Sequence, residues 1–218
     1  LFPRREGGPG GLGPSPRGLK GLGPLISARG RPSWLLPLAI AVALRLWGLG
    51  DVPTTLTNDE AHLGYEAWSI ARAVGQGRTP ESHEVGPHPL GTYAVAVSVG
   101  LFGPTPFAVR LPFAVAGALS VIPAAVIGEA LFGTRVAGAA AALLLATSPW
   151  HLAFTRVARD GTWLVLGVLV LVAGLVGAGA RVGRWGRIVP IGLSVVGAAI
   201  ATVGDPIGAM AAATTAIA

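Results

Sequence analysis

Apolar stretches recur along this chain, and they contain very little charge. Of the 218 residues, 52% are hydrophobic and only 12% are charged, whereas soluble domains carry about a quarter charged residues. A single targeting segment cannot explain the pattern, because apolar runs follow one another from about residue 34 onwards. The sequence therefore predicts an all-α, polytopic transmembrane helical bundle.

The longer apolar runs mark the candidate membrane spans. We predict spans at about residues 34–49, 106–132, 136–151, 162–180 and 188–204, and the start of another at 207. The stretch 89–103 is shorter than the roughly 20 residues that a helix needs to cross, so we expect a helix that lies at the interface. Arg45 is near the end of the first span, where a long side chain can snorkel to the headgroups.

Charge is segregated between the two ends of the first span. Residues 1–31 hold six basic side chains and one acid, and residues 51–90 hold six acids and two arginines. This pattern predicts a cytoplasmic N-terminus and an external loop 51–105. If 89–103 crossed, the arginines at 181, 184 and 187 would fall outside, against the same rule. The segregation also argues against nucleic acid as the reason for the net charge of +6.

The N-terminal segment differs in composition from the rest of the chain. Residues 1–32 are rich in Gly, Pro and Arg and have no apolar periodicity, which predicts a disordered basic cytoplasmic tail. Residues 33–218 would be the N-terminal part of a transmembrane domain. The chain starts at Leu1 and stops inside the apolar run "AAATTAIA", so we expect a piece of a longer protein.

The segment "TLTNDEAHLGYE" follows the first span directly. Its apolar residues recur at helical spacing, which predicts a helix over about 58–75 with one apolar row, formed by Leu63, Ala67, Ile70 and Val74. Thr57 and Glu60 have the spacing of a capping box, so Glu60 is either a cap or a functional acid. Asp59 would be held close to the lipid headgroups, where partial desolvation makes a carboxylate a better proton acceptor.

Several segments together carry a resemblance to a known family. They are "NDEAHLGYEAWSIA", "HPLGTYAVAVSVGLFGPTPFAVRLPFAVAGAL" and "EALFGTRVAGAAAALLLATSPWHLAFTRVARDG", in that order. Over about residues 33–180 the chain resembles the N-terminal half of membrane glycosyltransferases with the GT-C fold. The branch that it resembles includes protein O-mannosyltransferases and the aminoarabinose transferases that modify lipid A.

The resemblance implies a reaction and a set of acidic site residues. Such enzymes move a sugar from a polyprenyl-phosphate carrier to a protein, lipid or glycan acceptor on the extracytoplasmic face, here of the plasma membrane. Asp59 matches the catalytic aspartate of the first external loop, which would act as general base, and Glu60 matches its acidic neighbour. Asp160 matches a second acidic position that helps to shape the same site.

Basic side chains are candidates for contacts to the donor phosphate. Arginine suits this task because its planar fork matches phosphate oxygens and stays charged near lipid. The candidates are Arg110, Arg156, Arg159 and His88; each arginine could instead be an interfacial anchor. The family often has a Lys-Pro-Pro-Leu or His-Pro-Pro-Leu run, whereas this chain has "GPHPL", with His88 one residue nearer the leucine.

Three alternatives to this site are a metal centre, a transporter and a non-catalytic membrane subunit. The external loop contains metal-ligand types, namely Asp59, His62, His83, Glu84 and His88. Their spacing fits no closed motif such as HExxH, so no cofactor is predicted. A transporter would place ionisable residues inside its spans, whereas charge here collects in the loops. A non-catalytic membrane subunit would keep the helices and tolerate the loss of Asp59.

Overall fold

A computed structural model describes residues 32–80, 89–180 and 184–204. These residues form nine α-helices and no strands, so the predicted all-α fold is confirmed for them. The helices are α1 (Leu35–Leu46), α2 (Asn58–Gly75), α3 (Pro89–Phe102), α4 (Pro106–Leu119), α5 (Val121–Phe132), α6 (Arg135–Thr147), α7 (Pro149–Thr155), α8 (Gly161–Ala180) and α9 (Arg184–Gly204). The predicted tail over residues 1–31 and the span that would start at 207 lie outside the described residues.

Within the described residues, two helical segments are long and apolar enough to cross a membrane. They are Pro106–Phe132, which joins α4 to α5 over 27 residues, and Gly161–Gly179 in α8. A third span results if α6 and α7 are counted together. The first helix, α1, has 12 residues and α3 has 14, fewer than the roughly 20 that crossing requires. The spans at 34–49 and 188–204 therefore stay predictions.

The predicted span 136–151 is not one straight helix. It divides at Ser148, and the axes of α6 and α7 differ by 58°. Pro149 is the physical cause: it has no N–H to donate, and its ring forces the preceding residue out of the helical region. Ser148 accordingly has a ψ of 118°. The break leaves carbonyl groups at the end of α6 that need other donors.

Arg45 supplies one of those donors. Its side chain is fully buried, and its Nη1 donates to the Ala146 carbonyl at the end of α6 over 3.2 Å. The Nε donates to the Thr155 hydroxyl at 3.0 Å, and Nη2 lies 2.7 Å from Nδ1 of His151. The expectation that Arg45 reaches the headgroups is wrong, because the break in the facing helix offers acceptors inside the bundle.

The second helix, α2, begins and ends where the sequence predicts. Thr57 caps it by accepting from the Glu60 N–H at 3.3 Å, and the Glu60 carboxylate accepts from the Thr57 N–H at 2.9 Å. Ala67 and Ile70 are buried in the predicted row, but Val74 is 61% exposed and Ala73 is buried in its place. The apolar face therefore turns slightly from the predicted one.

Helices α2 and α3 pack together against the start of α4. Ala67 and Ile70 of α2 belong to one buried cluster with Val95 and Val99 of α3 and with Val109 of α4. Leu49, just after α1, has its carbonyl 3.3 Å from Nη1 of Arg110 in the second turn of α4. The chain between α1 and α4 therefore leaves and returns to the same end of the bundle.

Helices α8 and α9 form a close antiparallel pair. Gly167 and Gly174 on α8 and Gly197 on α9 lie at the contact, where an added Cβ would fall 2.3 to 2.4 Å from the facing helix. Small residues of this kind let helix backbones approach in a membrane bundle. This pair positions the start of α8. Asp160, the second acidic candidate, immediately precedes that helix.

Candidate active site

The candidate site lies where α1 ends and where α2, α4 and α8 begin. We call this region the acidic end of the bundle. Glu60 and Arg110 form its buried centre, and both side chains are fully inaccessible to solvent. Arg110 Nε donates to Glu60 Oε1 over 2.8 Å, and Nη2 donates to Oε2 over 3.3 Å. This two-point geometry is the strong form of an arginine–carboxylate contact.

The remaining donors of Arg110 hold the loop that leads to Asp59. Nη1 donates to the carbonyl groups of Leu49 and Pro53, and Nη2 donates to that of Thr55 at 2.9 Å. Each terminal nitrogen thus contacts protein acceptors and none faces the surface. In this structure Arg110 fixes the loop between α1 and α2, and it has no donor directed towards an external phosphate.

Arg156, which follows α7, holds the same loop from another side. Its Nη1 donates to the carbonyls of Leu44 and Trp47 at 2.7 and 2.8 Å. Its Nη2 donates to the carbonyls of Gly48 and Val52 at 3.3 and 3.1 Å. A cation at the C-terminal end of α1 also interacts favourably with the helix dipole. Arg110 and Arg156 therefore bind different backbone carbonyls within residues 44–55.

A backbone-to-side-chain hydrogen bond joins the two acidic segments. The Ala158 N–H donates to Glu60 Oε1 over 3.2 Å. Glu60 is next to Asp59 in the chain, and Ala158 is two residues before Asp160. The structure therefore brings together segments that are about a hundred positions apart in the sequence.

The two other acidic candidates differ in exposure. Asp59 is exposed in the first turn of α2. Asp160 is half-buried at the start of α8, and its Oδ1 faces the backbone of Gly91 in the first turn of α3. Glu60 is thus the buried anchor of the acidic pair, and Asp59 is its accessible member.

The electrostatics of Glu60 follow from its partners. Burial by itself disfavours the charged carboxylate and raises its pKa. The hydrogen bond from Arg110 and those from the backbone N–H groups of Thr57 and Ala158 act in the opposite direction and prevail, so the pKa of Glu60 lies below its ordinary value. Glu60 is therefore ionised at neutral pH.

Some of the remaining candidate phosphate and metal contacts lie within the part of the chain that the structure describes, and others lie outside it. Arg159 is exposed, and its guanidinium carbon lies 5.8 Å from the centre of the Phe154 ring. His62 is exposed and lies 3.2 Å from Glu66 one helical turn away. His83, Glu84 and His88 lie outside the described residues. Among those that the structure describes, no three His, Asp or Glu side chains form a group that could hold a metal.

An apolar groove of about 390 Å³ adjoins the first turns of α2. Its walls include Leu56 and Ala61, which flank the acidic pair in sequence, together with Tyr65, Trp68, Val99 and Pro106. Asp59 is not among the residues that line the groove.

Sequence reasoning missed the anchoring roles of Arg110 and Arg156. Both occur beside proline or loop segments in the sequence, and nothing local distinguishes an arginine that binds carbonyls from one that binds phosphate. It also missed Arg45, although Pro149 was a usable signal, because a proline inside an apolar helix predicts unpaired carbonyls nearby.

The fold and the site define a class: a helical membrane protein with an acidic centre at one end of its bundle. Residues 85–215 match the family model described as dolichyl-phosphate-mannose-protein mannosyltransferase. This match covers more than half of the chain, and the chain belongs to that family of membrane glycosyltransferases. The matched segment begins after Asp59, so the assignment does not depend on the acidic pair. No curated protein and no solved structure matches the chain.

Proposed function

We propose that the protein transfers a sugar from a polyprenyl-phosphate carrier to a protein, lipid or glycan acceptor, with Asp59 as general base. The observation that carries the proposal is the hydrogen bond between Ala158 and Glu60, which links the segments of Asp59 and Asp160. The family match supports a mannosyltransferase-type enzyme, and favours it over the transporter alternative. The apolar groove along α2 is consistent with a lipid-linked donor.

Asp59 has the exposure that a general base requires. Displacement at the anomeric carbon of the sugar needs a group that takes the proton from the acceptor hydroxyl or amine. Glu60 and Arg110 hold the first turn of α2, so the neighbouring Asp59 carboxylate is presented at the surface from a fixed backbone. Glu60 would thus act through Asp59 as a positioning residue, and Asp160 would complete the site.

The departing phosphate needs positive charge, and among the three candidate arginines Arg159 is the one that can supply it. Arg159 is exposed and immediately precedes Asp160 in the chain, whereas Arg110 and Arg156 use their donors on backbone carbonyls and on Glu60. We therefore assign the phosphate contact to Arg159 and positioning roles to Arg110 and Arg156. His88 remains a second candidate phosphate contact by resemblance.

The proposal includes no metal, because the spacing of the acidic and histidine side chains in the external loop fits no closed motif. Loss of transfer after treatment with EDTA, with recovery on adding a divalent cation, would contradict this part.

The return of the chain to one end of the bundle supports an external acidic end. Arg110 contacts the Leu49 carbonyl, so α2 and α3 together make no net crossing. With a cytoplasmic N-terminus and α1 as the first span, Asp59 and Asp160 would face the outside of the plasma membrane.

The test is Asp59→Asn in the protein expressed from its complete reading frame. Membranes would be assayed for sugar transfer from a polyprenyl-phosphate-mannose donor to a peptide acceptor. We expect turnover to fall by about a hundredfold or more, since general bases contribute roughly 10²–10⁴-fold. Asp51→Asn is the matched control, because Asp51 is an exposed acid in the same external loop and should leave turnover unchanged.

Equal turnover of the wild type and of Asp59→Asn, at equal protein level in the membrane, would remove Asp59 from the mechanism. A loss in both Asp59→Asn and Asp51→Asn would show that charge in the loop matters and that a specific base does not.

A further inference from the structure

Three side chains converge on the first turn of α3, at Gly91. A Cβ built on Gly91 would lie 3.0 Å from Oδ1 of Asp160. It would also lie 3.4 Å from Cζ of Phe113 and 3.6 Å from Nε1 of Trp163. These side chains come from the start of α8 and from α4, so three parts of the chain meet at a position that has no side chain.

The Asp160 carboxylate borders the space that a side chain at position 91 would fill. Gly91 is buried, and its helix is fixed on both sides by packing against α2 and α4. A contact of 3.0 Å between a methyl carbon and an oxygen is tighter than ordinary van der Waals contact. Any side chain at this position would therefore displace the carboxylate by a few tenths of an ångström.

Trp163 forms the other wall of this space. Its ring meets Phe113 edge to face, with centroids 5.8 Å apart and planes at 61°. Behind it, a Cβ on Gly204 of α9 would come within 2.5 Å of the Trp163 Cβ. The indole thus packs against Phe113 of α4, and the Trp163 Cβ packs against α9.

Packing alone does not explain why residue 163 is tryptophan. The indole N–H is buried and makes no hydrogen bond to any described residue, and a buried donor without an acceptor is costly. Phenylalanine would fill the same place without that cost. The indole Nε1 and the Asp160 Oδ1 both border the space at Gly91.

We propose that Gly91 and Trp163 are positioning residues that fix the Asp160 carboxylate in the active site. Gly91 leaves open the space that the carboxylate borders, and Trp163 bounds that space with its ring and an N–H group. This inference rests on the proposed function, because it assumes that Asp160 takes part in sugar transfer.

The first test compares Gly91→Ala with Gly100→Ala in the complete protein. Both replace glycine in α3 and both raise helix propensity, but a Cβ at Gly100 meets nothing within 4 Å. We expect Gly91→Ala to lower kcat by roughly tenfold with the donor KM within about twofold, since small misplacements of catalytic groups are costly. Gly100→Ala should match the wild type.

A double-mutant cycle with Asp160→Asn separates a positioning role from a general structural one. If Gly91 acts through Asp160, then Gly91→Ala should cost less than about twofold in the Asp160→Asn background. Losses that multiply in the double variant would overturn the proposal. Normal transfer by Asp160→Asn alone would instead remove Asp160 from the proposed function, so the two failures are distinguishable.

Trp163→Phe provides a second variant that keeps the ring and removes the N–H. We expect kcat to fall by roughly threefold to tenfold, since small misplacements of a catalytic group are costly, with no further loss when Asp160→Asn is added. If Gly91→Ala does not accumulate in the membrane, the Trp163→Phe cycle decides. Unchanged kcat in Trp163→Phe would contradict the role of the indole.

Discussion

Glu60 and Arg110 form a fully buried ion pair that joins α2 to α4, with Arg110 Nε 2.8 Å from Glu60 Oε1. Around this pair, backbone N–H groups from Thr57 and Ala158 bond to the carboxylate, and three loop carbonyls bond to the guanidinium. The pair therefore connects the end of α1, the start of α2 and the segment before α8. The proposed base, Asp59, occupies the next position in the chain.

Removing one partner of this pair should destabilise the protein strongly. Glu60→Gln or Arg110→Met leaves the other side chain buried without its partner, which costs about 3–5 kcal/mol. We expect the unfolding midpoint in detergent to fall markedly for each single variant. The double variant Glu60→Gln/Arg110→Met should be less destabilised than the two losses combined, because both charges are gone.

Arg72→Gln is the control for these variants, because Arg72 contacts Trp68 near the far end of α2 and takes no part in the buried network. Strictly additive losses at Glu60 and Arg110 would contradict the coupling that their geometry implies.

The lowered pKa of Glu60 predicts how stability depends on pH. The unfolded chain binds a proton at the ordinary glutamate pKa of about 4.3, whereas the folded protein binds it only at lower pH. The pair therefore contributes its full stabilisation above about pH 4.3, and this contribution is lost as pH falls further towards the folded pKa. The unfolding midpoint should therefore decrease as the pH is lowered below about 4.3.

Glu60→Gln cannot release a proton at this position, so its midpoint should vary less with pH over the same window. An identical pH dependence in both proteins would mean that other carboxylates control the acid transition.

Arg156 and Arg159 should respond to substitution in different ways. Arg156→Gln removes donors from four backbone carbonyls, so we expect a lower unfolding midpoint and faster proteolysis within residues 47–57. Arg159→Gln should leave the midpoint unchanged, because its side chain is exposed. It should raise the KM for the polyprenyl-phosphate donor, since a charge-assisted phosphate contact is lost.

The reverse result would exchange their roles. A stable Arg156→Gln with a raised donor KM, together with a destabilised Arg159→Gln, would assign phosphate binding to Arg156.

The topology can be tested with single cysteines, because the chain has none of its own. We expect Asp160→Cys to be labelled by an impermeant thiol reagent in intact cells, and Gly183→Cys to be protected until the cells are opened. These outcomes follow if 89–103 does not cross the membrane. Labelling of Gly183→Cys alone would place the acidic end in the cytoplasm.

Local patterns were sufficient to predict α2. The capping box at Thr57 and Glu60 and the spacing of Ala67 and Ile70 are properties of neighbouring residues, and the helix begins and ends as predicted. Pattern reasoning was less successful for 136–151, where Pro149 divides the predicted span. It was wrong for Arg45, because the acceptors of its side chain belong to α6 and α7, about a hundred residues away.

The sequence by itself determined that this chain is a membrane protein and which residues are candidates for its chemistry. Scarce charge, recurrent apolar runs and a segregated basic tail depend on composition and order alone, and so do the positions of Asp59, Glu60 and Asp160. Only the tertiary structure decided which of these groups are accessible. Exposure and hydrogen bonding depend on contacts between distant segments, so the fold alone separates the buried Glu60 from the exposed Asp59, and the carbonyl-bound Arg110 and Arg156 from Arg159.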